Sequence, residues 1–259
     1  MSPYLINLSQ FKISSLLFFT LVGFFAFSTL ITWLGKKSRL RLQFFLDNMI
    51  FFIIGGLIVG RIFVLVANYQ VFFNSFDLNS LYKAIAFWSD KEISIIGFLI
   101  GVFIVLKRQT FLHQELFNRW ADVFAISSLG LLSFFNIGTF LYGSNYGRIT
   151  ESFLGVMVNS PIVKYTLPIY PTQLFAALYS LIIGIYAYKL YKKYRHKYDG
   201  YVYLQVCFLF FSCRFLESFF RGDDTIYIWI LRMPGILSAI LAYIFFKQIL
   251  KFEKKYKIS

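Results

Sequence analysis

Histidine and cysteine are nearly missing from this sequence. There are two of each, His113, His196, Cys207 and Cys213, and their spacing matches no set of metal ligands. Both cysteines fall inside one apolar run, which predicts free thiols in an apolar phase rather than a disulfide. No metal and no cofactor is expected. Acidic residues are scarce as well, 12 against 26 Lys and Arg, so the formal net charge is +14. Only five prolines interrupt the chain, and charged residues make up 15% of it, too few for a soluble domain between the apolar runs. A cleavable signal peptide is also lacking by pattern. Only Lys12 precedes the first apolar run, the run is too long, and no small-residue cleavage site follows. That run is expected to be a retained membrane helix.

What the chain does have is hydrocarbon. Hydrophobic residues account for 58% and aromatics for 22%, with 34 phenylalanines. Runs able to cross about 30 Å of lipid recur throughout. The expectation is an all-α polytopic membrane protein, one integral-membrane domain over residues 1–259. Seven transmembrane helices are predicted, at roughly 13–34, 42–67, 93–106, 121–143, 173–190, 201–220 and 225–246. The positive charge could suggest nucleic acid, but it lies in short tracts beside the spans, so orientation and anionic lipid explain it better.

The tracts alternate in weight. One side carries Lys36, Lys37, Arg39, Arg41, Lys107, Arg108, Arg119, the tract from Lys189 to Lys197, and five lysines from Lys247 to Lys257. The other side has only Lys12, Lys83, Lys91, Arg148, Lys164 and Arg221. The positive-inside rule puts the N-terminus outside and the C-terminus in the cytoplasm. The tract Lys192–Lys197 reads as a solvated cytoplasmic face. Residues 68–92, with Tyr82 and Trp88, suggest an amphipathic segment in the interface. Residues 144–172, with Gly147, Gly155, Pro161, Pro168 and Pro171, suggest an ordered external loop.

Charge inside the spans is the chemical signal. Arg214, Glu217 and Arg221 stand at i, i+3 and i+7, so a helix would stack them on one face. A structural Arg–Glu pair locking two helices is one reading, and a site for a charged ligand is the other. Arg61 and Arg232 are expected within spans at the level of Arg214, about 10 Å below the outer surface at 1.5 Å per residue. Three cations there, offset by Glu217 alone, call for an anion. A phospholipid phosphate suits planar guanidinium groups. Asp47 and Asp122 are read as structural, neutralised by nearby Lys and Arg. Gly55, Gly56 and Gly60 predict a close helix contact, and Pro234 a kink in the last span.

In chain order, several segments resemble those of the prolipoprotein diacylglyceryl transferase family. They are Gly60-Arg61-Ile-Phe-Val-Leu-Val, Ala121-Asp122, Gly138-Thr-Phe-Leu-Tyr-Gly-Ser-Asn-Tyr-Gly-Arg-Ile-Thr150, Tyr170-Pro-Thr-Gln-Leu-Phe-Ala-Ala177 and Arg214-Phe-Leu-Glu-Ser-Phe-Phe-Arg-Gly-Asp223. The resemblance implies seven spans in a bacterial plasma (inner) membrane. It implies transfer of diacylglyceryl from phosphatidylglycerol, or another anionic phospholipid, to the lipobox cysteine of a prolipoprotein signal peptide. Arg214 and Glu217 are then the candidate catalytic residues. Arg61, Arg214, Arg221, Arg232, Gln173, Asn136, Thr139 and Ser144 are the candidate lipid-binding ones.

The resemblance has gaps. Ile96 stands where the family has histidine, Asn136 at its signature arginine, Thr139 and Tyr142 at its two asparagines, and Ser144 and Ala176 at glutamates. Both histidines are expected on the cytoplasmic side. Glu217, Glu151, Asp223 and Asp224 remain as outer proton acceptors. Two other readings stay open, a non-catalytic relative that binds lipid or a membrane partner, and a transferase with a different acceptor.

Overall fold

The computed structural model describes residues 4–8, 11–67, 94–158, 163, 166–222, 227–228 and 231–257. The predicted interfacial segment with Lys83, Lys91, Tyr82 and Trp88 lies outside them, as do Pro161, Lys164, Asp223 and Asp224. Among the described residues there are seven helices. These are α1 Ser15–Lys37, α2 Leu42–Ala67, α3 Ile95–Leu112, α4 Phe117–Tyr142, α5 Thr172–Tyr194, α6 Tyr201–Ser218 and α7 Met233–Tyr256. Six are long and apolar enough to cross a membrane; α6, which carries Arg214 and Glu217, is not among those six. The protein is a helical, polytopic membrane protein. Two short hairpins that the sequence reading missed accompany the helices, β1 Tyr4–Leu8 with β2 Phe11–Ser14, and β3 Tyr227–Ile228 with β4 Leu231–Arg232.

Several predicted boundaries move. Helix α3 runs to Leu112, well past residue 106. Lys107 and Arg108 propagate a helix well, and their stems can lie along apolar surface while the charge reaches water. The last span begins at Met233 rather than 225, because the β3–β4 hairpin occupies the chain before it. Pro234 therefore does not kink the helix. It sits in the first turn, where its missing N–H is not needed. Arg232 is the residue that precedes α7, not a residue within a span.

Helix α4 is the centre of the bundle, with α1, α5 and α6 packed on it. It is buried on nearly every side through its first half, including Trp120, Phe124, Ile126 and Leu129. Phe27, Phe45 and Phe52 meet Phe124 edge-on at centroid distances of 5.1–5.9 Å. Helices α2 and α3 form a pair, as do α6 and α7. Lipid supplies no hydrophobic drive between such helices, so close backbone approach matters. A Cβ on Gly101 would lie 2.3 Å from the Gly55 carbonyl oxygen, and one on Gly97 would lie 2.9 Å from the Gly60 Cα. The close contact expected of Gly55 and Gly60 is thus made with two glycines of α3. Large apolar side chains such as Leu21, Phe25 and Ile50 face outward, as a lipid-facing belt requires.

Asp122 is structural, but its partners are not Lys or Arg. Its carboxylate accepts from the backbone N–H groups of Gly200 and Tyr203, each at 2.8 Å. Those are among the N–H groups that the first turn of α6 leaves without intrahelical partners. A residue of the central helix thereby fixes where the Arg214 helix starts, and the negative charge suits the helix N-terminus. Asp47 is exposed on α2.

Candidate active site

Helix α6 stops at Ser218, and two turn residues carry the chain to Arg221. Arg221 is therefore past the helix, contrary to the continuous helical face expected from its spacing. The loop between α4 and α5 fixes it there. Gly147 forms an antiparallel bridge with Arg221, the Arg148 N–H donates to the Phe220 carbonyl at 2.8 Å, and the Gly222 N–H donates to the Tyr146 carbonyl at 2.9 Å. The fit demands glycine, since a Cβ on Gly147 would lie 2.2 Å from the Tyr170 carbonyl oxygen. The described part of the loop is ordered, as its glycines and prolines suggest.

Glu217 is the hub. The Arg214 Nη1 donates to both of its carboxylate oxygens at 2.9 Å. The Tyr179 hydroxyl, from α5, donates to Oε2 at 2.8 Å. The Arg221 Nη1 stands 3.6 Å from Oε1, and its Nη2 donates to the Asn145 side-chain oxygen. One buried carboxylate thus holds two arginines. Such pairs rest on good geometry and filled hydrogen bonds.

In front of these arginines lies a cavity of about 190 Å³. Arg214, Arg221, Arg232, Asn145 and Ser218 line one part of it, and Ile95, Ile96 and Phe135 another. Three guanidinium groups converge there, two of them held by a single carboxylate. Ile95 and Phe135 are also walls of a second cavity of about 250 Å³, almost wholly apolar, among Phe24, Phe52, Phe98 and Leu131, with Thr20 and Ser128 its polar residues. A cationic pocket and a hydrocarbon pocket therefore share a wall. The pair can take an amphiphile with an anionic head.

The structure brings together four of the residues singled out in the sequence, Arg214, Glu217, Arg221 and Arg232. Gln173 and Ser144 stand behind them. The Gln173 amide donates to the Ser144 carbonyl at 2.7 Å and the Thr172 hydroxyl to the Asn145 carbonyl at 2.8 Å, which ties the Asn145 turn to the start of α5. Arg61 is buried on α2, next to Gly60, whose carbonyl accepts from the Ser94 N–H. The cationic cavity is lined by Arg214 and Arg232 together with Arg221, while Arg61 is not among its lining residues. Asn136 and Thr139 bond back to their own helix, at the carbonyls of Leu132 and Asn136, and do not line the cavity. Glu151 is exposed in the loop.

Asn145, Tyr179 and Ser218 were missed. Asn145 had a signal, because it adopts a left-handed φ of 59°, a conformation asparagine tolerates better than most residues, within Gly-Ser-Asn-Tyr-Gly. Tyr179 had none, since a tyrosine in an apolar helix reads as core. Ile96, at the position matched to a histidine, lines the cavity and gives it an apolar face there.

The family model for prolipoprotein diacylglyceryl transferase matches residues 3–250. A Campylobacter hominis protein named phosphatidylglycerol–prolipoprotein diacylglyceryl transferase is 29% identical over 238 residues, 85% of this chain and 79% of the relative. Proteins of the same name from Campylobacter lari and Rickettsia bellii are 32% and 28% identical, over 51% and 66% of this chain and 44% and 63% of their own lengths. With nearly its whole length matched, the chain belongs to the prolipoprotein diacylglyceryl transferase family.

Proposed function

We propose that this protein transfers the diacylglyceryl group of phosphatidylglycerol to the cysteine thiol of a prolipoprotein signal peptide. The observation that carries the reading is the convergence of Arg214, Arg221 and Arg232 on one cavity that shares a wall with an apolar one. The lipid phosphate sits among the guanidinium groups and acyl chain occupies the apolar cavity. The thiol sulfur attacks the glyceryl carbon that bears the phosphate ester. A carbon–sulfur bond forms, the carbon–oxygen bond breaks, and its electron pair leaves on glycerol phosphate, whose freed oxygen gains negative charge as the bond breaks and then takes up the thiol proton. Arg214 is the catalytic group that stabilises that charge, in a site where fixed donors act strongly. Arg221 and Arg232 bind the phosphate. Glu217 holds Arg214 in place, accepting from its Nη1 on both oxygens and from the Tyr179 hydroxyl on one. Arg61, Gln173, Ser144, Asn136 and Thr139 act further out, shaping the walls. The test is transfer of labelled diacylglyceryl from phosphatidylglycerol to a lipobox peptide by the purified protein. Activity above an empty-membrane control is expected; none, with lipid still bound, would leave a lipid-binding relative without the chemistry.

The same reading gives seven spans, with α6 as the sixth, in a bacterial inner membrane, and the arginine cavity toward the outer leaflet. The basic tracts at the ends of α1, α5 and α7 support a cytoplasmic C-terminus. Reporter fusions after Ser259 and within residues 192–197 should both read cytoplasmic. An external reading at either would reverse the orientation or remove a span.

A further inference from the structure

A second lipid-shaped feature lies at the other end of the bundle. Helix α5 begins beside Asn145 at the arginine site, and Tyr191 lies about 28 Å further along it at 1.5 Å per residue. There, α1 and α5 both pack on α4 and leave a cleft of about 290 Å³ between them. Small residues line its floor, Gly130 and Ser133 from α4 with Ser180 and Gly184 from α5, under walls that include Leu30 and Ile185. The cleft ends at Trp33 and Tyr188, and Tyr188 is also part of a cavity of about 450 Å³ lined by Lys37, Tyr191, Lys192 and Arg195.

The cations of that cavity are placed by aromatic rings. Lys37 Nζ lies 3.7 Å from the Trp33 ring centroid and donates to the Tyr188 hydroxyl at 3.5 Å. Lys192 Nζ lies 4.7 Å from the Tyr188 ring, and the Arg195 guanidinium 5.9 Å from the Tyr191 ring. Tyr191 is itself fixed, donating to the Leu34 carbonyl at 3.1 Å and paired with Ser38 Oγ. Three cations from two helices therefore face one cavity, and no acidic side chain lines either it or the cleft. A tract that only solvates a helix end has no reason to converge with Lys37 of another helix beside an open apolar cleft.

We propose that these two cavities form a site for one anionic glycerophospholipid of the leaflet opposite the arginine cavity. Its phosphate lies among Lys37, Lys192 and Arg195, and one acyl chain lies over Gly130 and Gly184. Basic pockets between helices at a membrane face bind acidic headgroups in this way. Free phosphate would use the cations but not the cleft, and the continuity of the two through Tyr188 selects the lipid. The bound molecule joins α1 to α5, which meet chiefly through α4. The site makes no use of the residues assigned to transfer.

Native mass spectrometry of the full chain in detergent, titrated with phosphatidylglycerol, tests this. The triple variant Lys37→Gln, Lys192→Gln, Arg195→Gln should retain one phosphatidylglycerol fewer than wild type. Affinity for that lipid should fall roughly a hundredfold, since each surface cation contributes about fivefold. Gly184→Leu keeps every cation and fills the cleft. A Cβ there meets only the Leu129 Cβ, at 3.7 Å, so the backbone accepts a side chain at this position, and a leucine that extends into the cleft should lose the same lipid. All three side chains of the triple variant are exposed, so its folding should be unaffected. Undiminished lipid in either variant would overturn the proposal, and so would equal retention of phosphatidylcholine. Millimolar inorganic phosphate should not displace the lipid; displacement would make this a site for free anions only.

Discussion

Arg214→Ala should lower diacylglyceryl transfer by roughly two to three orders of magnitude, the usual effect of removing a fixed donor from developing negative charge. The loss should appear in kcat as well as in kcat/KM, because charge on the leaving phosphate grows only as the carbon–oxygen bond breaks. Arg214→Lys is the informative companion. It keeps the charge but offers a single nitrogen, whereas the guanidinium meets both oxygens of Glu217 through Nη1 alone, at 2.9 Å, and has further N–H groups to present to a phosphate. It should therefore be impaired nearly as severely. The measurement is initial rate of label transfer to a lipobox peptide over a range of phosphatidylglycerol. A lysine variant with close to wild-type kcat would show that charge alone suffices and that the guanidinium geometry has no part in the reaction.

Glu217→Ala is expected to be the most damaging change to the site's stability. It removes the carboxylate that Arg214 and Tyr179 donate to and that Arg221 approaches at 3.6 Å. Breaking one partner out of a buried pair costs about 3–5 kcal/mol, since the remaining charge keeps its desolvation penalty. Arg232 adds a further cation to the same cavity. The apparent melting temperature in detergent should fall clearly, and phosphatidylglycerol should restore part of the loss by supplying an anion. Glu217→Gln, which keeps the shape and one acceptor oxygen, should fall between. It also separates two roles. If Glu217 holds Arg214 in place, Glu217→Gln lowers kcat at every pH without moving the profile; if it deprotonates the thiol, the acidic limb of the profile disappears. An Ala variant as stable as wild type would mean that the arginines are compensated elsewhere.

Much of this was open to reading because membrane constraints act locally. A run of apolar residues must become a helix in lipid, where every backbone polar group needs an internal partner. Five of the predicted spans therefore coincide with observed helices to within a few residues, and the third starts as expected but runs on to Leu112. The seventh is a helix too, but it starts at Met233 rather than 225, because the β3–β4 hairpin occupies the chain before it and Pro234 suits a first turn. Within one helix, spacing alone put Arg214 and Glu217 together, since i and i+3 face the same way.

What lay beyond reach was convergence across the chain. Asn145 meets Arg221 over 76 positions and Tyr179 meets Glu217 over 38, through side chains no local pattern distinguishes from turn and core residues. Arg61 stood out in the sequence as a cation within a span, and it is buried on α2, but the residues that line the cavity do not include it. Asp122 was recognisable as structural, while its partner, the start of α6, depended on how α4 and α6 cross. Sequence by itself determined the membrane class, the helices and the pairing within each one, because these depend on neighbours a turn away. Only the tertiary structure decided which three arginines share a cavity and which carboxylate holds them, because that depends on helix crossings set by glycines, caps and a central buried helix.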